Sequence, residues 1–338
     1  MMRIILLSFL SLLCISCSEE IPYSKISGST MGTTYSVILR SNSVSPEVVY
    51  KDIETELKAI NQLMSTYIPD SEINRFNALT DNSCFRFSDK SWEVLVAAQK
   101  VYQATNGAFD ITMGPLISRW GFNVEEYEEK VPSATEVQTL LTTTGSDKLY
   151  YDFTNQCISK SLPQITINLS AIAKGFGVDR VAHIVEQHGV VDYLVEIGGE
   201  TKAKGRNPNG SDWRVAVENP SAVAQRKMLI VGLTDSSIAT SGDYRNYFTI
   251  DGKRFSHTID PTTGYPVEHS LASVSVIHPQ NMYADAYATA FSVMGVKRSL
   301  ELANSLNLAV FMVEHSSKQD EEAKVHSNEE FDSYILTH

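Results

Sequence analysis

Tyr193-Leu194-Val195-Glu196-Ile197-Gly198-Gly199 is a short apolar run stopped by two glycines, and it reads as a buried strand. What flanks it decides the fold class. Before it, Ala173–Gln187 carries Ile184 and Val185 on an apolar side and predicts a helix. After it, strands are expected at Trp213–Val217, 228–233, 237–239, Tyr247–Ile250 and 272–277, with no helix between them. Strands and helices without strict alternation predict an α+β fold of mixed sheets and packed helices.

Further out, the pattern alternates between helix and strand signals. Residues 35–39 read as a strand. Pro46–Met64 repeats Val48, Ile53, Leu57, Ile60 and Leu63 at helical spacing. A short helical piece over 71–76 has Ser71 as its cap, and a clear helix over 91–105 is ended by Asn106-Gly107. Ser133 and Glu136 form a capping box for a helix through 141. Residues 147–169 read as paired strands, with 165–169 alternating. Near the C-terminus, Ala284-Asp285-Ala286-Tyr287-Ala288-Thr289-Ala290 predicts a core helix, a second helix follows over 296–306, and a strand over 308–313. The last 25 residues are charged and read as partly irregular.

The chain has 338 residues, 43% hydrophobic and 20% charged, which is ordinary globular composition with ample material for a core. A formal charge of -12 argues against a nucleic-acid partner, because a phosphate-binding surface needs a basic excess. Arg3 is followed by an apolar run over 4–15, too short to span a bilayer and shaped like a signal-peptide core. It ends in Cys14-Ile15-Ser16-Cys17, which resembles a lipoprotein cleavage box with Cys17 as the lipidated residue, although Cys14 stands where such boxes carry Leu. An ordinary secretory signal cut nearby is the alternative, and export is expected either way. Cys84 and Cys157 are too few for a disulfide framework and are expected to be unconnected core thiols, with a disulfide between them in an oxidising compartment as the alternative.

Asp285 and Thr289 are four residues apart, so they share a helix face. A carboxylate on a core helix is costly unless it is paired or holds a metal. Five polar or glycine-rich segments accompany this pair: 29–35, 107–116 with Trp120-Gly121-Phe122, 168–175, Glu196-Ile197-Gly198-Gly199-Glu200, and 239–246 with 257–266. Each alone is consistent with turn chemistry. Lys174-Gly175 lacks the leading spacing of a phosphate-binding P-loop, and no GxGxxG follows a first strand.

Taken in order, Leu169-Ser170-Ala171-Ile172-Ala173-Lys174-Gly175, His257-Thr258-Ile259-Asp260-Pro261 and Ala284-Asp285-Ala286-Tyr287-Ala288-Thr289-Ala290 resemble the ApbE family of FAD:protein FMN transferases. The resemblance runs from about Ser29 to Val313. It implies a leader over 1–17 followed by one T-fold-related catalytic domain over 18–338. It also implies transfer of FMN from FAD to a threonine or serine hydroxyl of an acceptor flavoprotein, with release of AMP. Mg²⁺ would be held by Asp285, Thr289 and carbonyls near Ala171 and Met282, a set of hard oxygen donors that suits this ion. FAD contacts would fall at Met31, Tyr67, Ala108, Phe109, Asp110, Asn168, Lys174 and Ile259. Family members often carry Asp where this chain has Asn168.

His257 is the candidate general base, since imidazole takes a proton near neutral pH; a substrate-binding or structural histidine is the alternative. Asp260 would orient it or sit near the metal. The family suggests acceptor subunits of membrane redox complexes of the Nqr and Rnf type, and a lipid-anchored enzyme on the outer face of the inner membrane. The rival readings are an FAD pyrophosphatase and a non-catalytic FAD-binding lipoprotein.

Overall fold

The computed structural model describes residues 22–41, 44–122, 131–217, 229–242, 247–250, 253–315 and 323–336. The leader with Cys17, residues 243–246 of the fifth segment and Met228 lie outside the described residues.

The chain opens with a hairpin, β1 (Tyr23–Thr30) and β2 (Thr33–Arg40), turned by Met31-Gly32. Helix α1 (Pro46–Met64) starts at Ser45, whose side chain accepts the Glu47 amide, and buries Val49, Ile53, Leu57, Ile60 and Met64. Next come α2 (Glu72–Asn77), β3 (Phe85–Arg86), α3 (Asp89–Ala104) and α4 (Gly114–Arg119). Helix α5 (Ala134–Thr142) begins in the expected capping box of Ser133 and Glu136. Strands β4 (Leu149–Asp152) and β5 (Cys157–Lys160) precede α6 (Ala173–Gln187).

The second half is mostly strand: β6 (Tyr193–Ile197), β7 (Glu200–Lys204), β8 (Trp213–Val217), β9 (Leu229–Leu233), β10 (Ser236–Gly242), β11 (Tyr247–Ile250), β12 (Lys253–Ser256) and β13 (Leu271–His278). It ends with α7 (Asn281–Leu306), β14 (Ala309–Glu314), β15 (Val325–Ser327) and α8 (Glu329–Asp332). At Gly295 the backbone leaves helical geometry (φ 75°, ψ 170°), so α7 is two helical pieces around a kink, matching the two helices expected there.

An eight-stranded sheet ordered β1-β2-β6-β7-β10-β13-β14-β15 organises the molecule, and all its pairings are antiparallel. Side-chain alternation gives it two apolar faces. One packs Val37, Leu39, Val195 and Ile197 against Ile53 and Leu57 of α1 and Val181 and Val185 of α6. On the same side, Val274, Val276 and Val310 meet Ala284, Ala288 and Phe291 of α7. The other face is covered by Trp213, Val231 and Leu233 of β8–β9 and by Phe331 of α8. Glu56 on α1 accepts hydrogen bonds from Lys90 of α3 (2.6 Å) and Arg180 of α6 (2.9 Å), tying three helices together.

Two expectations are corrected. Residues 165–169 are not a strand; their hydrogen bonds go elsewhere. The Asn77 amide brackets Ile167, donating to its carbonyl (2.9 Å) and accepting its N–H (2.8 Å), and the Asn168 N–H donates to the Ile111 carbonyl (2.7 Å). One side chain and one loop thus replace a partner strand. Cys84 and Cys157 are not separate thiols but a disulfide. The pairing of β3 with β5 sets Arg86 opposite Cys157 and brings the two cysteine Cα atoms to 5.5 Å, within bridging reach. Among the described residues no helix is long and apolar enough to cross a membrane.

Candidate functional site

The N-terminus of α6 and the first turns of α7 cross so closely that a side chain at the crossing is excluded. A Cβ on Gly175 would stand 2.5 Å from the Asn281 carbonyl oxygen and 2.8 Å from Met282 Cα. Glycine is required by this approach, and the approach brings the Leu169–Gly175 segment against Met282 and Asp285.

The two helices cap each other. Helix α6 has no side-chain cap of its own; instead Asp285 Oδ2, from α7, accepts the Gly175 N–H at 3.0 Å. Helix α7 likewise lacks a local cap, and Asp179 of α6 accepts the N–H groups of Asn281 (3.0 Å) and Met282 (2.9 Å). Each carboxylate sits where unpaired N–H groups and the helix dipole favour negative charge. Asp285 is therefore buried, at 6% exposure, as its place on an alanine-rich core helix implied.

Lys174 and Glu200 complete this cluster. The Lys174 ammonium hydrogen-bonds Glu200 Oε1 and lies 3.9 Å from Asp285 Oδ1. Glu200 is 3% exposed, and its second oxygen, Oε2, is buried with no hydrogen-bond partner among the described residues. Burial, then the nearby Asp285 charge, pushes the Glu200 carboxyl up to about 7. Burial works against the Lys174 charge, but Asp285 and Glu200 outweigh it and hold its pKa above the usual lysine value. Two carboxylates face one ammonium, so with all three ionised the cluster has room for added positive charge. Among the described residues no three acidic, histidine or cysteine side chains converge as a metal cluster. A cation held here would rest on one or two carboxylates and neutral oxygens. The Asp285 carboxylate and the Thr289 hydroxyl, one turn on along α7, are hard oxygen donors of the kind Mg²⁺ takes.

Met31 has a left-handed backbone (φ 50°), and its Cε would touch a Cβ on Gly177 of α6 at 3.0 Å, so this side chain lies along α6 one turn past Lys174. Tyr67 is 67% exposed beyond the end of α1, open to stack on a planar ligand. Ala108 and Phe109 are buried; Phe109, at 1% exposure, belongs to the core, so only its backbone can face a ligand. The Asp110 carboxylate is occupied by protein donors: Thr112 N–H (2.8 Å) and hydroxyl (2.7 Å), and Ser146 N–H (3.0 Å) and hydroxyl (2.7 Å). It braces the loop that carries Ile111, which in turn binds the Asn168 N–H. Asn168 Oδ1 accepts the Ser170 N–H at 2.8 Å, shaping the turn into α6.

His257 is half-buried, with its imidazole edge-on to Phe122 at 6.2 Å between centroids. Ile259 is buried with Met113, Leu116 and Trp120. Asp260 Oδ1 accepts the Thr262 N–H (2.8 Å) and hydroxyl (2.7 Å), and its carbonyl accepts the Gly264 N–H (2.8 Å). Trp120 Nε1–H donates to the Gly264 carbonyl at 2.8 Å, fixing the 260–264 turn on the α4–α5 cluster. The structure thus joins Lys174 and Asp285 directly, sets Met282 against Gly175, and joins Asp110 to Asn168 through one loop. Glu200 and Asp179 had no role assigned from sequence. Glu200 stood in the flagged Gly198-Gly199-Glu200 segment, but its facing partners lie 26 and 85 residues away and no local pattern names them.

Over residues 31–312 the chain matches the model of the ApbE family. A Haemophilus influenzae protein named FAD:protein FMN transferase is 43% identical over 305 residues, 88% of each chain. A Vibrio cholerae protein of the same name is 38% identical over 337 residues, 99% of each chain. The solved structure described as flavin transferase ApbE from Vibrio cholerae superposes with a TM-score of 0.85 at 37% identity, covering 93% of this chain and 100% of that one. The apo form of Pseudomonas stutzeri flavinyl transferase ApbE gives 0.85 at 38% identity, covering 93% and 97%. With a family model matched over most of its length and relatives above 30% identity over 88% and 99% of it, this chain belongs to the ApbE family.

Proposed function

We propose that this chain is a FAD:protein FMN transferase, moving FMN from FAD onto a threonine or serine hydroxyl of an acceptor flavoprotein and releasing AMP. The relatives that carry this name align with it over 88% and 99% of its length. The observation that carries the reading within the molecule is the Lys174–Glu200–Asp285 cluster, whose two buried carboxylates outnumber its one half-buried ammonium. That imbalance supports Mg²⁺ as the required ion, with Asp285, Thr289 and the carbonyls of Ala171 and Met282 as its proposed oxygen donors. When bound, Mg²⁺ supplies positive charge to the pyrophosphate oxygens and to the phosphate that leaves.

The chain's own groups do the rest. Asp285 is held by the α6 N-terminus through Gly175, so its carboxylate does not need to reorganise. Lys174 presents an ammonium to the same space. The acceptor hydroxyl oxygen bonds to the FMN-side phosphorus as the bond from that phosphorus to the bridging oxygen breaks, and the bridging oxygen leaves with AMP. His257 accepts the hydroxyl proton, its ring plane supported by Phe122. Met31, Tyr67, the 108–110 backbone, Asn168 and Ile259 are the proposed FAD contacts. Asp110 and Asp260 act through the loops they brace.

The leader's pattern supports export and lipid anchoring at Cys17, and the family resemblance supports the periplasmic side of the inner membrane as its place. The acceptors proposed are subunits of Nqr- and Rnf-type redox complexes. The test is incubation with FAD, Mg²⁺ and an exported flavoprotein domain, read by in-gel flavin fluorescence. The wild type labels the acceptor, while a chelator and Asp285→Ala both abolish labelling. Labelling that survives both would reject the metal assignment.

A further inference from the structure

The Gly198-Gly199 turn does more than reverse the chain. Its two residues adopt positive φ (59° and 105°) and join Ile197 to Glu200 as the last pair of the β6–β7 hairpin. A Cβ on Gly198 would come within 2.8 Å of Thr33 Cγ2 on the neighbouring hairpin. Glycine at this turn lets the hairpin sit tight against the β1–β2 turn and sets Glu200, the first residue of β7, against the start of α6.

There its carboxylate is shared unequally. Oε1 takes the Lys174 ammonium, while Oε2 is buried without a partner. Lys174 is within 3.9 Å of Asp285 Oδ1, close enough for attraction but beyond hydrogen-bond length. Asp285 Oδ2 is taken by Gly175 N–H, and among the described hydrogen bonds Oδ1 has none. A lysine placed between two carboxylates goes to the one that reaches it, and Glu200 is the one that reaches.

We propose that Glu200 is a positioning residue: it draws the Lys174 ammonium off Asp285 and so keeps Asp285 Oδ1 open to a divalent cation. Without that carboxylate, Lys174 closes on Asp285, and a metal ion must displace an ammonium to bind. This inference rests on the reading of Asp285 as a cation ligand.

The test measures metal binding, not turnover. Mn²⁺ is titrated into the full chain without FAD, its free-ion paramagnetic resonance signal counts the unbound ion, and Mg²⁺ displaces it. Glu200→Gln and Glu200→Asp are both expected to weaken Mn²⁺ binding about 5- to 10-fold, the first by losing the charge and the second by losing the reach. Adding Lys174→Met to Glu200→Gln restores affinity to within about 2-fold of wild type. Unchanged circular dichroism in each variant shows that the fold is intact. Wild-type affinity in Glu200→Asp overturns the proposal, because charge alone then accounts for the effect. Failure of Lys174→Met to restore binding also overturns it and makes Glu200 a ligand of the ion itself. If the wild type binds Mn²⁺ no better than Asp285→Ala, the metal reading falls and this inference with it; wild-type binding with unaffected Glu200 variants sinks only the inference.

Discussion

Replacing Gly175 by alanine tests whether the α6–α7 crossing holds the site. The added methyl carbon would sit 2.5 Å from the Asn281 oxygen and 2.8 Å from Met282 Cα, both backbone atoms that cannot rotate away. Contact between carbon atoms is comfortable only from about 3.5 Å, so the helices must part by about 0.7 Å. Overpacking of this kind costs about 1–3 kcal/mol. Alanine's better helix propensity returns about 1 kcal/mol, leaving a net loss of about 0–2 kcal/mol and a fall in Tm of at most about 4 °C. The same separation stretches the 3.0 Å bond from Gly175 N–H to Asp285 and shifts the carboxylate. Misplacement approaching 1 Å costs about 100-fold in rate, so FMN transfer is expected to fall far more than stability. Gly175→Ser adds a hydroxyl to the same clash and is expected to be worse on both counts. Thermal unfolding by circular dichroism and transfer by in-gel fluorescence make the comparison. An alanine variant with unchanged Tm and unchanged transfer would refute the reasoning.

Further outcomes are expected elsewhere. His257→Ala should slow transfer by about 100-fold or more while FAD affinity, measured by fluorescence quenching, stays within about 3-fold of wild type; equal losses in both would make His257 a binding residue. Cys84→Ser opens a loop of 73 residues and should lower stability by about 4 kcal/mol in the chain-entropy account, with urea unfolding as the measure; no shift in midpoint would mean the bridge constrains nothing. The raised Glu200 carboxyl means that the folded, metal-free protein binds its proton more tightly than the unfolded chain does. Stability must therefore fall as pH rises from about 4.5 to about 7, and Glu200→Gln should remove that part of the slope in urea titrations across this window; a slope the variant shares would contradict the assignment.

Much of the fold was legible where local chemistry acts alone. Ser71 and Ser133 cap the helices they were expected to open, and Asp285 is buried as an alanine-rich core helix requires. Strand β7 reads Glu-Thr-Lys-Ala-Lys, a polar run that looks like loop, yet Glu200, Thr201 and Ala203 are buried because the sheet and α6 close over them. Residues 165–169 alternate like a strand, but the partner they find is a side chain, Asn77, from 90 residues away. The disulfide was hidden for the same reason: its geometry comes from the β3–β5 register, which no count along the chain reveals. In the site, residue types carried the expectation as far as the meeting of Lys174 and Asp285, 3.9 Å apart. They carried it less far at Phe109 and Asp110, whose side chains are taken up by the core and by the loops.

The central claim is that FMN passes intact from FAD to a protein hydroxyl. The most direct measurement is the stoichiometry of a single reaction: AMP released, counted against FMN bound covalently to the acceptor by intact-protein mass. The account predicts one AMP per FMN on the acceptor, no labelling once the acceptor's threonine is replaced by alanine, and little free FMN. AMP and free FMN in equal amounts with an unlabelled acceptor would contradict it and identify a pyrophosphatase instead.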